Sequence, residues 1–179
     1  MDDIKSVFNL INSVLQDVKL DDVTSETSGS NELPDGYYLS EVMKAEITES
    51  KTSGKPMVAF QFKVVEDGVA VDVTESGETI KELIEKSKDR YIFIYYPITD
   101  ERSVKRFVSD MLKFEDEDGE SLLPKEAFTT AEVIDESLEA LVGRYVYIQI
   151  STSTNKNTGE NNTWRNLVSW KRMAKLDIL

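Results

Sequence analysis

Two groupings of side chains in this sequence could do chemistry. The first is the segment 143–179, which holds six bases against two acids in a chain otherwise rich in carboxylates. There Arg144, Lys156, Arg165, Lys171, Arg172 and Lys175 are interleaved with Tyr145, Tyr147, Trp164 and Trp170, the last two being the only tryptophans of the chain. Cations that track phosphates, alternating with flat rings that accept bases, make a platform for single-stranded nucleic acid. Each stacked base is worth about 1–3 kcal/mol, and any base will serve. The same residues have a plainer use. Tyr and Trp suit a half-buried pleated surface, and a basic strand can pair with acidic helices of its own fold. The second grouping is the carboxylate run Glu115, Asp116, Glu117, Asp118 and Glu120. With Gly119 at the sixth position of a calcium loop, the first and twelfth fall on Phe114 and Lys125, where carboxylates are required. The run therefore reads as a solvated acidic loop.

Other chemistries lack their residues. The chain has no Cys and no His, which removes thiolate nucleophiles, Cys/His zinc sites and the Ser-His-Asp triad. Gly54-Lys55-Pro56 lacks the upstream glycine and the Ser/Thr of a phosphate-binding loop. Ser153-Thr154-Asn155-Lys156 matches S-x-x-K by letters only, at a strand end and without its companion motifs. A two-carboxylate metal nuclease finds no pair of acids that the sequence places together. No catalytic residue, metal or cofactor is assigned, and a binding protein is expected rather than an enzyme.

The balance of 34 acids to 21 bases over 179 residues gives a net charge of −13, which argues against a basic surface that coats duplex DNA or anionic membrane. Residues 99–142 carry thirteen acids against five bases. No apolar run approaches the roughly 18 residues of a spanning helix, and MDDIKSVFNL is acidic rather than a basic leader. A soluble intracellular protein without a membrane partner is expected.

The elements that must position these side chains follow from hydrophobic spacing. Ile4, Val7, Phe8, Ile11, Val14, Leu15 and Val18 predict an amphipathic helix over 2–18, within an N-terminal segment 1–20. The polar stretch 21–35 predicts a linker. The helix either packs on its own domain or docks on another subunit or partner. From Gly36 the pattern turns to strands: 36–50, then 57–67 with Val58, Phe60, Phe62 and Val64 on one face, then 69–73. Ile80, Leu83 and Ile84 predict a helical insertion over 76–89. RYIFIYYPI (90–98) is apolar on both faces and reads as a central strand. Helical spacing returns over 100–114 and 124–143, making 100–142 a second insertion, and strands follow over 144–152 and 162–173. Phe60, Phe62, Ile92, Ile94, Val146 and Ile148 are expected in the core. This order fits a five-stranded OB-like β-barrel with decorating helices over 36–175; an α+β sandwich fits the same string.

A family likeness runs from about Pro34 to Arg172. Pro34, Gly36 and Tyr38 before the first strand, and Ser50, Lys51, Ser53, Gly54 and Lys55 at the turn after it, resemble a family of small phage proteins similar to OB-fold single-stranded-DNA-binding proteins. RYIFIYYPI, SVKRFVSDMLK and LEALVGRYVYIQI follow in the same order, with Asn166 and Val168 in the closing strand. The resemblance implies sequence-tolerant binding of single-stranded DNA in phage replication or recombination, in the cytoplasm of an infected bacterial host. Replication or recombination proteins are its implied partners. The helix 2–18 departs from the family's pattern and is a candidate for joining copies of the chain into a homo-oligomer. The expected DNA-binding residues are Lys51, Lys55, Tyr91, Phe93, Arg144, Tyr145, Tyr147, Lys156, Trp164, Arg165 and Lys171. The acidic helices are expected to lie away from the groove. The rival reading is an acidic protein–protein interaction module, or a DNA mimic, of a phage.

Overall fold

The computed structural model of the protein describes residues 7–9, 11–12, 15–16 and 33–176. They belong to two units, one before Pro34 and one from Pro34 on. In the first unit the described residues between 7 and 16 are helical, with Val7, Phe8, Ile11 and Leu15 exposed. The rest of the expected helix, and the expected linker up to residue 32, lie outside the described residues.

The second unit is mainly β. Its strands are β1 (Gly36–Glu49), β2 (Pro56–Val64), β3 (Gly68–Val73), β4 (Thr79–Ile84), β5 (Tyr91–Pro97), β6 (Tyr145–Thr154) and β7 (Asn161–Val168). The helices are α1 (Glu101–Met111), α2 (Ala131–Leu141) and α3 (Trp170–Lys175), with a 3-10 turn at Lys125–Phe128. All strand pairs are antiparallel, and the seven strands form one open sheet. Its main path runs β7–β6–β1–β2–β5, with the β3–β4 hairpin attached where β1 begins.

The bend that lets β1 serve three neighbours comes from one extra residue. Register against β2 shifts between Val42 and Lys44, so Met43 is bulged, and a bulge bends and twists its strand. Before the bulge β1 also pairs with β6, from Gly36 to Glu41. The glycines at the start of β1 and β3 permit the close crossing there. A Cβ on Gly68 would lie 2.4 Å from the Tyr38 ring, and one on Gly36 would lie 2.6 Å from Ile84 Cδ1.

Alternation on the strands buries one face. The six residues expected in the core are all buried, with Tyr38, Tyr96 and Leu167 beside them. Edge-to-face and tilted ring contacts run from Phe60 through Tyr96 and Phe107 to Phe128, tying β2 and β5 to α1 and the 3-10 turn. Burying each such side chain is worth about 1.5–3 kcal/mol. Helix α1 starts on a capping box: Asp100 accepts from Ser103 N–H, and Ser103 Oγ accepts in turn from the Asp100 N–H. At its other end Asp110 accepts from Tyr96 O–H at 2.7 Å and from Lys113 Nζ at 2.7 Å. Lys113 also donates to the Leu167 carbonyl at 2.9 Å. The helix is thereby clipped to β5 and β7, the two ends of the main path.

Three expectations are corrected. Residues 76–89 are not a helical insertion: Gly77, at φ 85°, sits in a turn closed by the Thr74 N–H to Glu78 carbonyl bond, and β4 pairs with β3 along its length. An apolar stripe of three residues is too narrow to hold a helix on a core, and its neighbour β3 offered a ladder instead. β5 is not central but the end of the sheet path, buried only on the side of Ile92, Ile94 and Tyr96. The closing strand stops at Val168, because Ser169 caps α3 through Arg172 N–H. The other insertion does contain helices, α1 and α2. Thr130 caps α2, six residues later than the spacing suggested. No described helix is long and apolar enough to cross a membrane.

Candidate nucleic-acid interface

β5 ends its sheet path with one face uncovered. Tyr91, Phe93 and Tyr95 point to that face and are 50%, 47% and 53% exposed. Alternate residues on a strand stand about 7 Å apart, so the three rings form an evenly spaced row. Large apolar side chains seldom line up in the open without a partner to meet.

Register fixes what surrounds them, because residues directly opposite share a face. Tyr91 lies opposite Lys63, Phe93 opposite Gln61 and Tyr95 opposite Ala59 on β2. Ala59 is too small to cover the Tyr95 ring. Behind β2, Glu41, Lys44 and Glu46 of β1 continue the face. The β1–β2 turn then rises at one end. It is closed by Ser50 N–H to the Lys55 carbonyl and Gly54 N–H to the Ser50 carbonyl, both at 2.8 Å. Gly54 takes φ 68°, a left-handed value that glycine adopts without strain. Strands and turn enclose an open groove of about 820 Å³ whose wall includes Lys51, Lys55, Gln61, Phe93 and Tyr95. Its charges are mixed: Lys44 is paired with Glu46 at 3.3 Å, and Glu49 also lines it. Lys51 and Lys55 are exposed and take part in none of the ion pairs among the described residues.

Of the residues expected from the sequence, the structure brings Lys51, Lys55, Tyr91 and Phe93 to this one face. It disperses the others. Arg144, Tyr145 and Lys171 line a separate pocket together with Glu115, Asp116, Glu117 and Asp118. There the basic segment meets the acidic loop of its own fold, the plainer of the two uses open to it. Tyr147 is 8% exposed and stands edge-on to Trp170, ring centroids 5.0 Å apart, in a cluster with Val168 and Met173. Burial, and to a lesser degree Glu66, push its hydroxyl above the ordinary tyrosine value. It offers no open ring. Lys156 lies in the exposed β6–β7 loop. Arg165 is half-buried on β7 opposite Ile150, on the core side. Trp164 faces the other way, 49% exposed, its Nε1 donating to Ser153 Oγ at 3.1 Å.

Sequence reasoning passed over Tyr95 and Lys63. The signal for Tyr95 was present in the i, i+2, i+4 spacing of Tyr91, Phe93 and Tyr95, but it was masked by taking β5 as covered on both faces. Among the described residues, no group of three or more Asp and Glu is placed to hold a metal ion.

Residues 20–83 match a family described as "Protein of unknown function (DUF669)", a span that includes β1, the β1–β2 turn and β2. No curated protein matches the chain.

Proposed function

We propose that the protein binds single-stranded DNA, without reading its sequence, on the outer face of β2 and β5. The observation that carries this reading is the row Tyr91, Phe93, Tyr95, open to solvent, of which Phe93 and Tyr95 line a groove edged by Lys51 and Lys55. Bases splayed from a single strand stack on such rings, while the lysines of the turn neutralise phosphates, joined by Lys63 where a phosphate draws it from its 3.8 Å pair with Asp89. A duplex keeps its base faces stacked inside, offers these rings nothing to stack on, and relies on phosphate contacts that an acidic protein with few bases at the groove makes poorly.

The strand path supports the same reading. β7–β6–β1–β2–β5 has the order of a five-stranded, partly open Greek-key barrel. In that architecture the second and third strands and the loops after the first and fourth serve oligonucleotides. Here those parts correspond to β2, β5, the β1–β2 turn and the β6–β7 loop with Lys156. The likeness to phage single-strand binders suggests a role in replication or recombination during infection, with proteins of those processes as partners. No catalytic step is assigned.

The test is the affinity of wild type and of Phe93→Ala/Tyr95→Ala for a labelled oligo-dT, read by fluorescence anisotropy. Binding that the double substitution abolishes supports the reading. Binding that it leaves unchanged moves the site elsewhere.

A further inference from the structure

We infer that a bound strand leaves the aromatic row at Pro97 and continues across the seam between β5 and β7, where Arg102, Arg106 and Trp164 form its second contact area. The inference rests on the single-strand reading given above. It departs from the sequence expectation that the helices lie away from the groove.

The path is continuous. Pro97 and Thr99 line both the groove of the aromatic row and a neighbouring cavity of about 550 Å³. That second cavity is bounded by Arg102 and Arg106 of α1 and by Trp164 and Asn166 of β7. It exists because, among the described residues, β5 pairs only with β2 and β7 only with β6, so the two ends of the path are not joined to each other.

The chemistry suits a phosphodiester strand. Arg102 and Arg106 are four residues apart and so share one face of α1. Both are exposed, and the ion pairs among the described residues use neither. Arg106 lies over the Tyr96 ring at 6.0 Å, which steadies the guanidinium. Its planar fork matches phosphate oxygens better than an ammonium does. Trp164, tethered through Nε1, presents a half-open ring beside them. Asp100 brings one opposing charge to the same cavity, with its carboxylate engaged in capping its own helix.

The experiment separates this inference from the reading beneath it. Oligo-dT of about 4 and about 16 nucleotides, the limits of a single OB-type site, is titrated onto wild type, Trp164→Phe and Arg102→Gln/Arg106→Gln. Anisotropy of the labelled DNA reports binding; tryptophan fluorescence reports contact at the seam. We expect the long oligomer to quench wild type and the short one to quench it little, with the quench lost in Trp164→Phe. The arginine double variant should bind the short oligomer as wild type does. Its log–log salt slope on the long one should be shallower by about 1.4, two phosphates at about 0.7 each. Binding by anisotropy with an unchanged slope, or a quench that survives in Trp164→Phe and so comes from Trp170, overturns the seam path and leaves the aromatic row standing. Absence of any binding overturns both.

Discussion

At the scale of single residues, the row on β5 and the hydroxyls behind it make opposite predictions. Phe93→Ala or Tyr95→Ala removes a stacking surface that supports no core, so each should weaken oligo-dT binding by about 1–3 kcal/mol, or about 5- to 150-fold in Kd. The urea midpoint should hardly move. Tyr96→Phe should do the reverse. It takes one of two bonded partners from the buried Asp110 carboxylate, at a cost of about 1.5–3 kcal/mol for a hydrogen bond to a charged group, while affinity for a short oligomer that meets only the aromatic row is unaffected. Tyr96 also sets an alkaline limit. Burial first, and then the Asp110 carboxylate, hold its hydroxyl well above the ordinary 10.0. Burial and Asp35 similarly push Tyr38 up to about 12. A group whose pKa is raised on folding stabilises fully below its unfolded value, and that contribution is lost as pH rises through the folded one. Urea midpoints should therefore be flat to about pH 10 on this account and fall above it, less steeply in Tyr96→Phe. A midpoint that rises above pH 10 would contradict the assignment.

At the scale of elements, the β1–β2 turn and the β3–β4 hairpin can be tested separately. Lys51→Ala/Lys55→Ala, on an exposed turn, should reduce the salt slope of oligo-dT binding by about 1.4 without loss of stability; an unchanged slope would take the turn out of the site. Gly68→Ala should destabilise by at least the roughly 1–3 kcal/mol of an overpacked core, because its Cβ meets the Tyr38 ring and the Tyr37 carbonyl. These elements also show which parts of the fold were legible. β1, β2 and β6 could be read because each alternates over many residues, and Phe60, Phe62, Val146 and Ile148 fell on the expected side. β5 could be placed but not oriented. Its outward residues are aromatic, so its exposed face resembles a buried one in a hydrophobicity pattern. The 76–89 hairpin was illegible because Ile80 and Leu83, exposed on the strand, fall at helical spacing by chance. The end of β7 turned on Ser169, a capping residue inside an apparently continuous run.

At the scale of the molecule, charge decides what the protein avoids. The acidic excess is greatest in 99–142, and the acidic loop there faces Arg144 and Lys171, which removes two cations from the expected DNA surface. This proximity was invisible in the sequence, where α2 separates the acidic loop from Arg144, and β6 and β7 lie between it and Lys171 as well. What remains at the groove is an aromatic row with a few lysines, so stacking rather than counterion release should dominate the affinity. Lys51 and Lys55, unpaired among the described residues, imply a slope of about −1.4 on short oligomers, and at most about −2 if Lys63 leaves its pair with Asp89.

The most direct measurement is anisotropy of labelled oligo-dT and of a duplex of equal length, titrated with wild type and with Phe93→Ala/Tyr95→Ala at several salt concentrations. The account predicts binding to the single strand alone, a shallow salt slope, and loss of that binding in the double variant. Equal affinity for the duplex, or a double variant that binds as wild type does, would contradict it.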